Sequence, residues 1–111
     1  MTLREKQSRF IKDLAYLIFY ADSIGVELTG GELYRTEYQQ AEHLRQGKSK
    51  TMKSKHLQRL AIDFNFFLDG QLTYDKKKLS LIGAYWESIR KENKWGGNFK
   101  SFVDTPHFQS E

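Results

Sequence analysis

The sequence predicts an α+β fold in which helices pack on a small antiparallel sheet. Near the start of the chain, and again over residues 77–91, apolar residues recur at spacings of three and four, which is the period of an amphipathic helix. Between these stretches, residues 60–66 alternate large apolar side chains with small or polar ones, as in a strand that has one face in the core. Helices and a half-buried strand in one short chain indicate the α+β class.

The first predicted helix runs from Arg4 to about Ile24. Its apolar stripe consists of Phe10, Leu14, Leu17, Ile18, Ala21 and Ile24. Its charged residues fall mostly on the other side, namely Arg4, Lys6, Arg9, Lys12 and Asp13. A helix of this kind can lie on a membrane surface, but packing against the core of the domain is the better interpretation. Gly25 ends it.

Shorter elements are predicted next. The stretch "VELTGGELYRT" is typical of a short strand, a Gly-Gly turn and a second extended piece. Thr36 followed by Gln39 forms a capping-box pattern, which predicts a short helix through about Leu44 that Gly47 ends. The stretch "GKSKTMKSK" then predicts a polar loop that carries Lys48, Lys50, Lys53 and Lys55.

The alternating stretch "LAIDFNFF" gives the predicted central strand two faces. Leu60, Ile62, Phe64 and Phe66 are expected to face the core, and Ala61, Asp63 and Asn65 the other side. The dipeptide Asp69-Gly70 predicts a turn, and "QLTY" a partner strand. A helix from Lys77 to Lys91 follows, with the stripe Leu79, Ile82, Trp86 and Ile89. The stretch "KWGGNFKSFVDTPHFQ" closes the chain.

Length and composition restrict the class of protein. A chain of 111 residues is expected to form one domain, residues 1–111. It has no cysteine, which excludes disulfides, thiolate metal sites and a cysteine nucleophile, so any metal must be held by histidine and carboxylate. The net charge of +4 favours an anionic partner such as nucleic acid, anionic lipid or a cell-wall polymer.

Two observations concern location. No stretch is apolar for long enough to cross a bilayer, so no transmembrane segment is expected. The apolar run at residues 14–21 follows a mixed-charge segment and lacks a small-residue cleavage site, so it does not resemble a signal peptide. We therefore expect a protein that is made in the cytoplasm without an export signal of its own.

The three histidines are the first candidates for chemistry. His43 falls in the short helix and is best interpreted as an exposed helix residue. His56 precedes the central strand, and a bend there would bring its ring over the face that carries Asp63. A metal ion would compensate a carboxylate in an aromatic-rich strand, but on spacing alone a face that is simply exposed to water is the better interpretation.

The C-terminal "DTPHF" favours the metal. Asp104 and His107 stand three residues apart, and Pro106 stiffens the backbone before the histidine. Two histidines, one carboxylate ligand and one further carboxylate suit a catalytic zinc site, in which three protein ligands leave a fourth position for water. Arg35, before the capped helix, could grip a carboxylate or a developing oxyanion.

These segments resemble one known family. "SKHLQRLAID" is similar to the Ser-x-His-x(6)-Asp signature of the zinc D-Ala-D-Ala carboxypeptidase and L-Ala-D-Glu endopeptidase family, which includes VanY-type and VanX-type enzymes and many phage endolysins. "LYRTEYQQ" resembles its upstream arginine segment, and "WGGNFKSFVDTPHFQ" the C-terminal segment of its endolysin branch. The matched segments run from about Leu33 to Gln109, in the order of the family.

The resemblance implies a set of roles. It implies one Zn²⁺ held by His56, Asp63 and His107, with Asp104 as general base. It further implies that Arg35 binds and polarises the substrate, and that Gln40 and Ser54 line the substrate cleft. The implied substrate is the stem peptide of peptidoglycan, which a phage endolysin reaches after another factor opens the membrane. Arg59 departs from the family, since many members have glycine there, and this puts the loop geometry in doubt.

The sequence is compatible with two alternative functions. Endopeptidase cleavage between L-Ala and D-Glu and carboxypeptidase removal of D-Ala use the same core residues, and the C-terminal segment favours the endopeptidase. A basic nucleic-acid-binding module would use the lysine loop and the aromatic residues Phe99, Phe102 and Phe108, but it leaves the histidines and aspartates unexplained. We expect a monomer that does not bind nucleic acid.

Overall fold

A computed structural model of the chain describes residues 1–49 and 51–111. This described part contains three α-helices, α1 (Leu3–Ser23), α2 (Glu37–Arg45) and α3 (Lys76–Ile89). It contains five strands, β1 (Glu27–Gly30), β2 (Ala61–Leu68), β3 (Gln71–Thr73), β4 (Asn93–Trp95) and β5 (His107–Ser110). Two short 3₁₀ turns lie at Lys55–Gln58 and Gly96–Asn98. Within the described residues, no helix is long and apolar enough to span a membrane.

The strands form one antiparallel sheet. Its order is β1-β2-β5-β4, and β3 also pairs with β2. In the β2–β5 pair, Asp63 stands opposite His107. The predicted α+β class and the antiparallel sheet are therefore confirmed, and the register places two of the candidate ligands side by side.

Helices α1 and α3 cover one face of the sheet. The largest fully buried apolar side chains come from both helices, from three strands and from the residue before β2: Phe10, Leu17, Leu60, Phe66, Leu79, Ile82, Trp86, Trp95 and Phe108. The indole of Trp86 donates to the carbonyl oxygens of Lys94 and Gln109, 3.2 and 3.0 Å away, so it also joins α3 to β4 and β5.

The first predicted helix is confirmed, but three of its residues were assigned to the wrong side. Ile18 and Ile24 are 47% and 40% exposed, because the core covers a narrower stripe than the sequence pattern predicts. Asp13, predicted on the charged side, is buried and paired with the Arg90 guanidinium at 2.9 Å. This ion pair compensates the cost of burying the carboxylate.

Local signals are confirmed at several boundaries. The capping box at Thr36 is present with both of its hydrogen bonds, at 3.1 and 2.9 Å. The turn at Asp69 and Gly70 has positive φ at both residues, as a tight hairpin requires. Helix α3 begins after Asp75, whose side chain accepts from Lys77 N. In the predicted lysine loop, Lys50 lies outside the described residues, and Lys55 belongs to the first 3₁₀ turn.

Central strand β2 alternates as predicted from Asp63 to Phe66, but not at its start, where Ala61 is fully buried and Ile62 is half-buried. Phe64 and Phe66 are buried, while Asp63 and Asn65 are only half-buried on the opposite face. The last two strands, β4 and β5, were predicted only as a closing segment. Strand β5 pairs with β2 and β4 pairs with β5, so that His107 on β5 stands beside Asp63.

Candidate metal centre and its cleft

The first 3₁₀ turn positions His56. Ser54 caps the turn by accepting a hydrogen bond from His56 N at 3.2 Å. The imidazole is buried, and its Nδ1 lies 2.9 Å from the carbonyl oxygen of Leu33. Because a carbonyl can only accept, the ring carries a proton on Nδ1 and leaves Nε2 free to bind a metal.

Arg59 ends this turn in a left-handed conformation. Its φ is 55° and its ψ is 38°, a region that glycine enters without cost and other residues enter at about 1 kcal/mol or more. The guanidinium lies 4.1 Å from the centre of the Tyr34 ring, a contact that offsets part of that cost. The turn thus retains the geometry that a glycine would favour, and His56 still faces the strand.

Asp63 and His107 come together across the sheet. Asp63 Oδ1 lies 3.3 Å from His107 Nδ1 and 3.4 Å from His56 Nε2. On the far side of its ring, His107 Nε2 lies 2.8 Å from Gln109 Oε1. With the amide in this orientation Nε2 carries the proton, which leaves Nδ1 free toward Asp63.

The donor set fits a metal ion. One ligand atom from each of His56, Asp63 and His107 lies within 4.8 Å of the others. His56 Nε2 and Asp63 Oδ1 are buried without a hydrogen-bond partner among the described residues. Three facing electron-pair donors repel one another unless a cation or a proton lies between them, so the cluster could hold a metal ion. Two imidazoles and a carboxylate form a donor set that suits zinc.

Without a metal, the neighbouring groups of the cluster shift the pKa values of Asp63 and His107. Burial of Asp63 alone would raise its pKa, but interactions with His107 and His56 outweigh burial and hold that pKa well below its ordinary value. Burial works to lower the pKa of His107, yet its interactions with Asp63 and Gln109 raise it above the ordinary value. Metal binding would therefore displace protons.

Asp104 stands beside the cluster as a separate carboxylate. Its Oδ2 is 3.9 Å from His107 Nδ1, and its side chain is half-buried. Burial raises the pKa of Asp104, and the charge of Asp63 adds to the rise, although both imidazoles and Arg35 oppose it. A carboxyl group with a raised pKa is suited to exchange protons with a reacting group.

Two glycines allow the close packing around these carboxylates. A Cβ on Gly31 would lie 2.6 Å from the Asp63 carbonyl oxygen. A Cβ on Gly96 would lie 2.1 Å from the Asp104 carbonyl oxygen. The Gly-Gly pairs, predicted only as turns, thus also provide the space in which the 31–35 segment and the Asp104 loop pack against the site.

Arg35 is held at the edge of the site. It is only 7% exposed, its backbone N donates to His56 O at 3.2 Å, and its guanidinium is bound by Glu32 and Gln40. Gln40 is fully buried and lies behind Arg35.

A cleft of about 380 Å³ joins these groups. Its polar and charged lining includes Arg35, Lys48, Lys53, Ser54, Lys55, His56, Asp104 and His107, and two aromatic rings, Phe99 and Phe102, complete it. Ser54 thus lies in the lining as expected, whereas Gln40 contacts Arg35 from outside the lining. A larger cleft of about 570 Å³ lies beside α1 and β1, and its described lining contains no histidine.

The sequence profile of the D-alanyl-D-alanine carboxypeptidase family matches residues 47–110, which is more than half of the chain. The chain belongs to this family. The matched residues include His56, Asp63, Asp104 and His107, and Arg35 precedes them.

Two relatives of this family member are similar over most of the chain. The chain is 37% identical to an L-alanyl-D-glutamate peptidase from a Listeria phage over 98 residues. This match covers 84% of the chain and 34% of the relative. The chain therefore spans about a third of that relative's length. The crystal structure of the Serratia marcescens L-Ala D-Glu endopeptidase ChiX superposes with a TM-score of 0.77 at 25% identity, over 94% of this chain and 79% of ChiX.

Sequence reasoning missed three side chains around the site. Glu32 binds the guanidinium of Arg35, three residues away in the sequence. Gln109 binds the imidazole of His107, two residues away. His43, predicted as exposed, is half-buried with Nε2 3.9 Å from Glu32 Oε2. The prediction for His43 was wrong because the 31–35 segment returns beside α2.

Proposed function

We propose that this family member is a zinc-dependent peptidase that cleaves the stem peptide of peptidoglycan, between L-alanine and D-glutamate. The proposal is carried by one cleft, lined by Arg35, Asp104 and the two histidines of a three-donor metal site whose third donor is Asp63. Both relatives described above have names that specify the L-Ala–D-Glu bond. The lysines on one wall of the cleft suit a substrate that carries carboxylates.

The chain's own residues have separable parts in this reaction. His56, Asp63 and His107 would hold the zinc, which when bound acts as a Lewis acid and lowers the pKa of a water ligand to about 7. Asp104 takes up the proton that the nucleophile loses and delivers it to the amine that leaves. Arg35 places a permanent positive charge beside the peptide oxygen on which negative charge develops.

Substitution of Asp104 tests this division. Asp104→Asn keeps the shape of the side chain but cannot accept the proton, so we expect kcat to fall by about 10²- to 10⁴-fold while zinc content stays at that of the wild type. The matched control is Asp22→Asn, an exposed aspartate outside this cleft. Zinc is measured by atomic emission, and cleavage by release of new amino groups from purified peptidoglycan.

The metal ligands should behave differently. His56→Ala should lose zinc together with activity, whereas His43→Ala, on a histidine outside the donor set, should keep zinc. An Asp104→Asn variant with full activity would refute the role of Asp104. A wild-type protein that binds no zinc, or that releases no amino groups when loaded with zinc, would refute the proposal as a whole.

Removal of D-alanine by a carboxypeptidase is the second candidate, because the matching family profile carries that description. Mass spectrometry of digested muropeptides separates the two. The endopeptidase leaves glycan-linked L-alanine and a free peptide that begins with D-glutamate, whereas the carboxypeptidase shortens each stem by one D-alanine.

We propose that the described domain acts as a monomer on wall material that it reaches after release from the cell by another factor.

A further inference from the structure

The guanidinium of Arg35 is bound on two sides by protein groups. Its Nε donates to Glu32 Oε1 at 2.5 Å, and Nη2 forms an ion pair with the same oxygen. Its Nη1 donates to Gln40 Oε1 at 2.6 Å. The arginine side chain is 8% exposed and still contributes to the lining of the cleft. Since a guanidinium has five N–H groups, these contacts fix its plane and leave two N–H groups for a ligand.

Both partners of Arg35 are themselves fixed. The backbone carbonyl of Glu32 accepts from Asp63 N at 2.9 Å, so the residue that binds Arg35 is attached directly to a candidate metal ligand. Gln40 donates from Nε2 to Ser49 Oγ at 2.9 Å and to the carbonyl oxygen of Thr51. Because both ends of the Gln40 amide are engaged, its oxygen cannot turn away from Arg35.

Charge alone does not explain Glu32. A carboxylate next to Arg35 offsets the positive charge that would attract an anionic substrate or stabilise an oxyanion. What the contact provides is orientation, because a long arginine side chain at the edge of a cleft otherwise samples many rotamers. Oriented groups act on a transition state without reorganising during the reaction.

We infer that Glu32 is a positioning residue that, with Gln40, holds Arg35 at the distance and angle required by the reacting peptide. This inference rests on the proposed function of Arg35 and adds a residue that sequence reasoning did not assign. His43 Nε2, on α2, lies 3.9 Å from the second oxygen of Glu32.

A double-mutant cycle tests the inference. Glu32→Ala should lower kcat/KM on purified peptidoglycan by about 10- to 100-fold, because misplacing a positioning group by about 1 Å can cost about 100-fold. Glu32→Gln keeps an oxygen that can accept from Arg35, so it should restore most of the activity. In an Arg35→Ala background, Glu32→Ala should have no further effect, because Glu32 acts through Arg35.

The chain offers a matched control. Glu42 and Arg45 form another acid–arginine pair three residues apart, but the Arg45 side chain is 70% exposed, whereas that of Arg35 is buried. Glu42→Ala should leave kcat/KM and zinc content unchanged. Zinc content should also be unchanged in Glu32→Ala, since the bond from Asp63 N uses the Glu32 backbone.

A structural readout that does not depend on activity is the NMR signal of the Arg35 Nε–H group. It should exchange slowly with water in the wild type and in Glu32→Gln, and rapidly in Glu32→Ala. Slow exchange in Glu32→Ala, wild-type kcat/KM in that variant, or an equal loss in the Arg35→Ala background would each overturn the inference. An inactive wild-type protein would refute the proposed function and, with it, the catalytic purpose of this contact.

Discussion

For each histidine of the cluster, what matters is which ring nitrogen is left without a proton. Leu33 O fixes His56 with Nε2 free, and Gln109 Oε1 fixes His107 with Nδ1 free. Opposite nitrogens of the two rings therefore face Asp63. The rings differ in this way because His56 approaches from a 3₁₀ turn and His107 from a strand. In metal sites, a hydrogen bond from the other ring nitrogen of a histidine, as here to Leu33 O and Gln109 Oε1, fixes the orientation of the ligand.

Gly31 provides a residue-scale test of the packing around Asp63. In Gly31→Ala, the new Cβ would lie 2.6 Å from the Asp63 carbonyl oxygen, so the strand or the 31–35 segment must move. We expect the free energy of unfolding to fall by about 1–3 kcal/mol, as at other overpacked sites, and the affinity for zinc to decrease. Chemical denaturation and competition with a chromophoric chelator measure the two effects.

Its neighbour supplies the control. A Cβ on Gly30 has no neighbour within 4 Å in the described structure. Gly30→Ala should therefore leave both stability and zinc affinity within error of the wild type. Equal behaviour of the two alanine variants would contradict the close packing at Gly31.

The candidate ligands could be named from the sequence only because three short motifs resemble a known family. Spacing alone left His56 and Asp63 as residues of an exposed face. Glu32 and Gln109 could not be assigned in this way, because their partners depend on backbone geometry. One lies in an irregular segment beside β2, and the other faces the same side of β5 as His107.

Elements with a long repeat of apolar residues were predicted well, and so were the short elements β1, α2 and β3, which lie beside a cap or turn signal, but β4 and β5 were not. Helices α1 and α3 extend over 21 and 14 residues, so their stripes are unambiguous. Strands β4 and β5 have three and four residues, too few for an alternating pattern to stand out. They exist because β5 pairs with β2 and β4 pairs with β5, and this long-range pairing satisfies their backbone groups.

Asp13 shows how a charged residue joins elements distant in sequence. Its carboxylate accepts from Arg90 at the end of α3 and from Asn93 Nδ2 in β4 at 3.2 Å. Asp13→Ala should lower the free energy of unfolding by about 2–3 kcal/mol, because it leaves buried Asn93 without this acceptor. The loss stays below that of a fully buried ion pair, since the Arg90 side chain is 33% exposed.

Urea denaturation measures this effect, and Asp22 on the same helix is the control. Its side chain is exposed, so Asp22→Ala should change stability by no more than about 0.5 kcal/mol. A loss in Asp13→Ala as small as that in Asp22→Ala would show that the pair contributes nothing to the α1–α3–β4 packing.

At the scale of the whole molecule, the candidate site joins parts that are far apart in the chain. Its donors lie on a 3₁₀ turn, on β2 and on β5, and the 31–35 segment contacts the first two. A bound metal would therefore close long loops that are open in the unfolded chain. Metal binding and global stability should be linked, because the assembled donor set exists only in the folded protein.

Thermal unfolding of the metal-free protein with added zinc measures this linkage. At a free zinc concentration about 100 times the Kd, the folded state gains about 2.7 kcal/mol. For a domain of this size, that corresponds to an increase in Tm on the order of 10 °C. His107→Ala should show little of this increase, because two donors remain, whereas His43→Ala should retain it in full. A wild-type Tm that does not respond to zinc, or a His107→Ala variant that responds as strongly as the wild type, would contradict a metal site that spans β2 and β5.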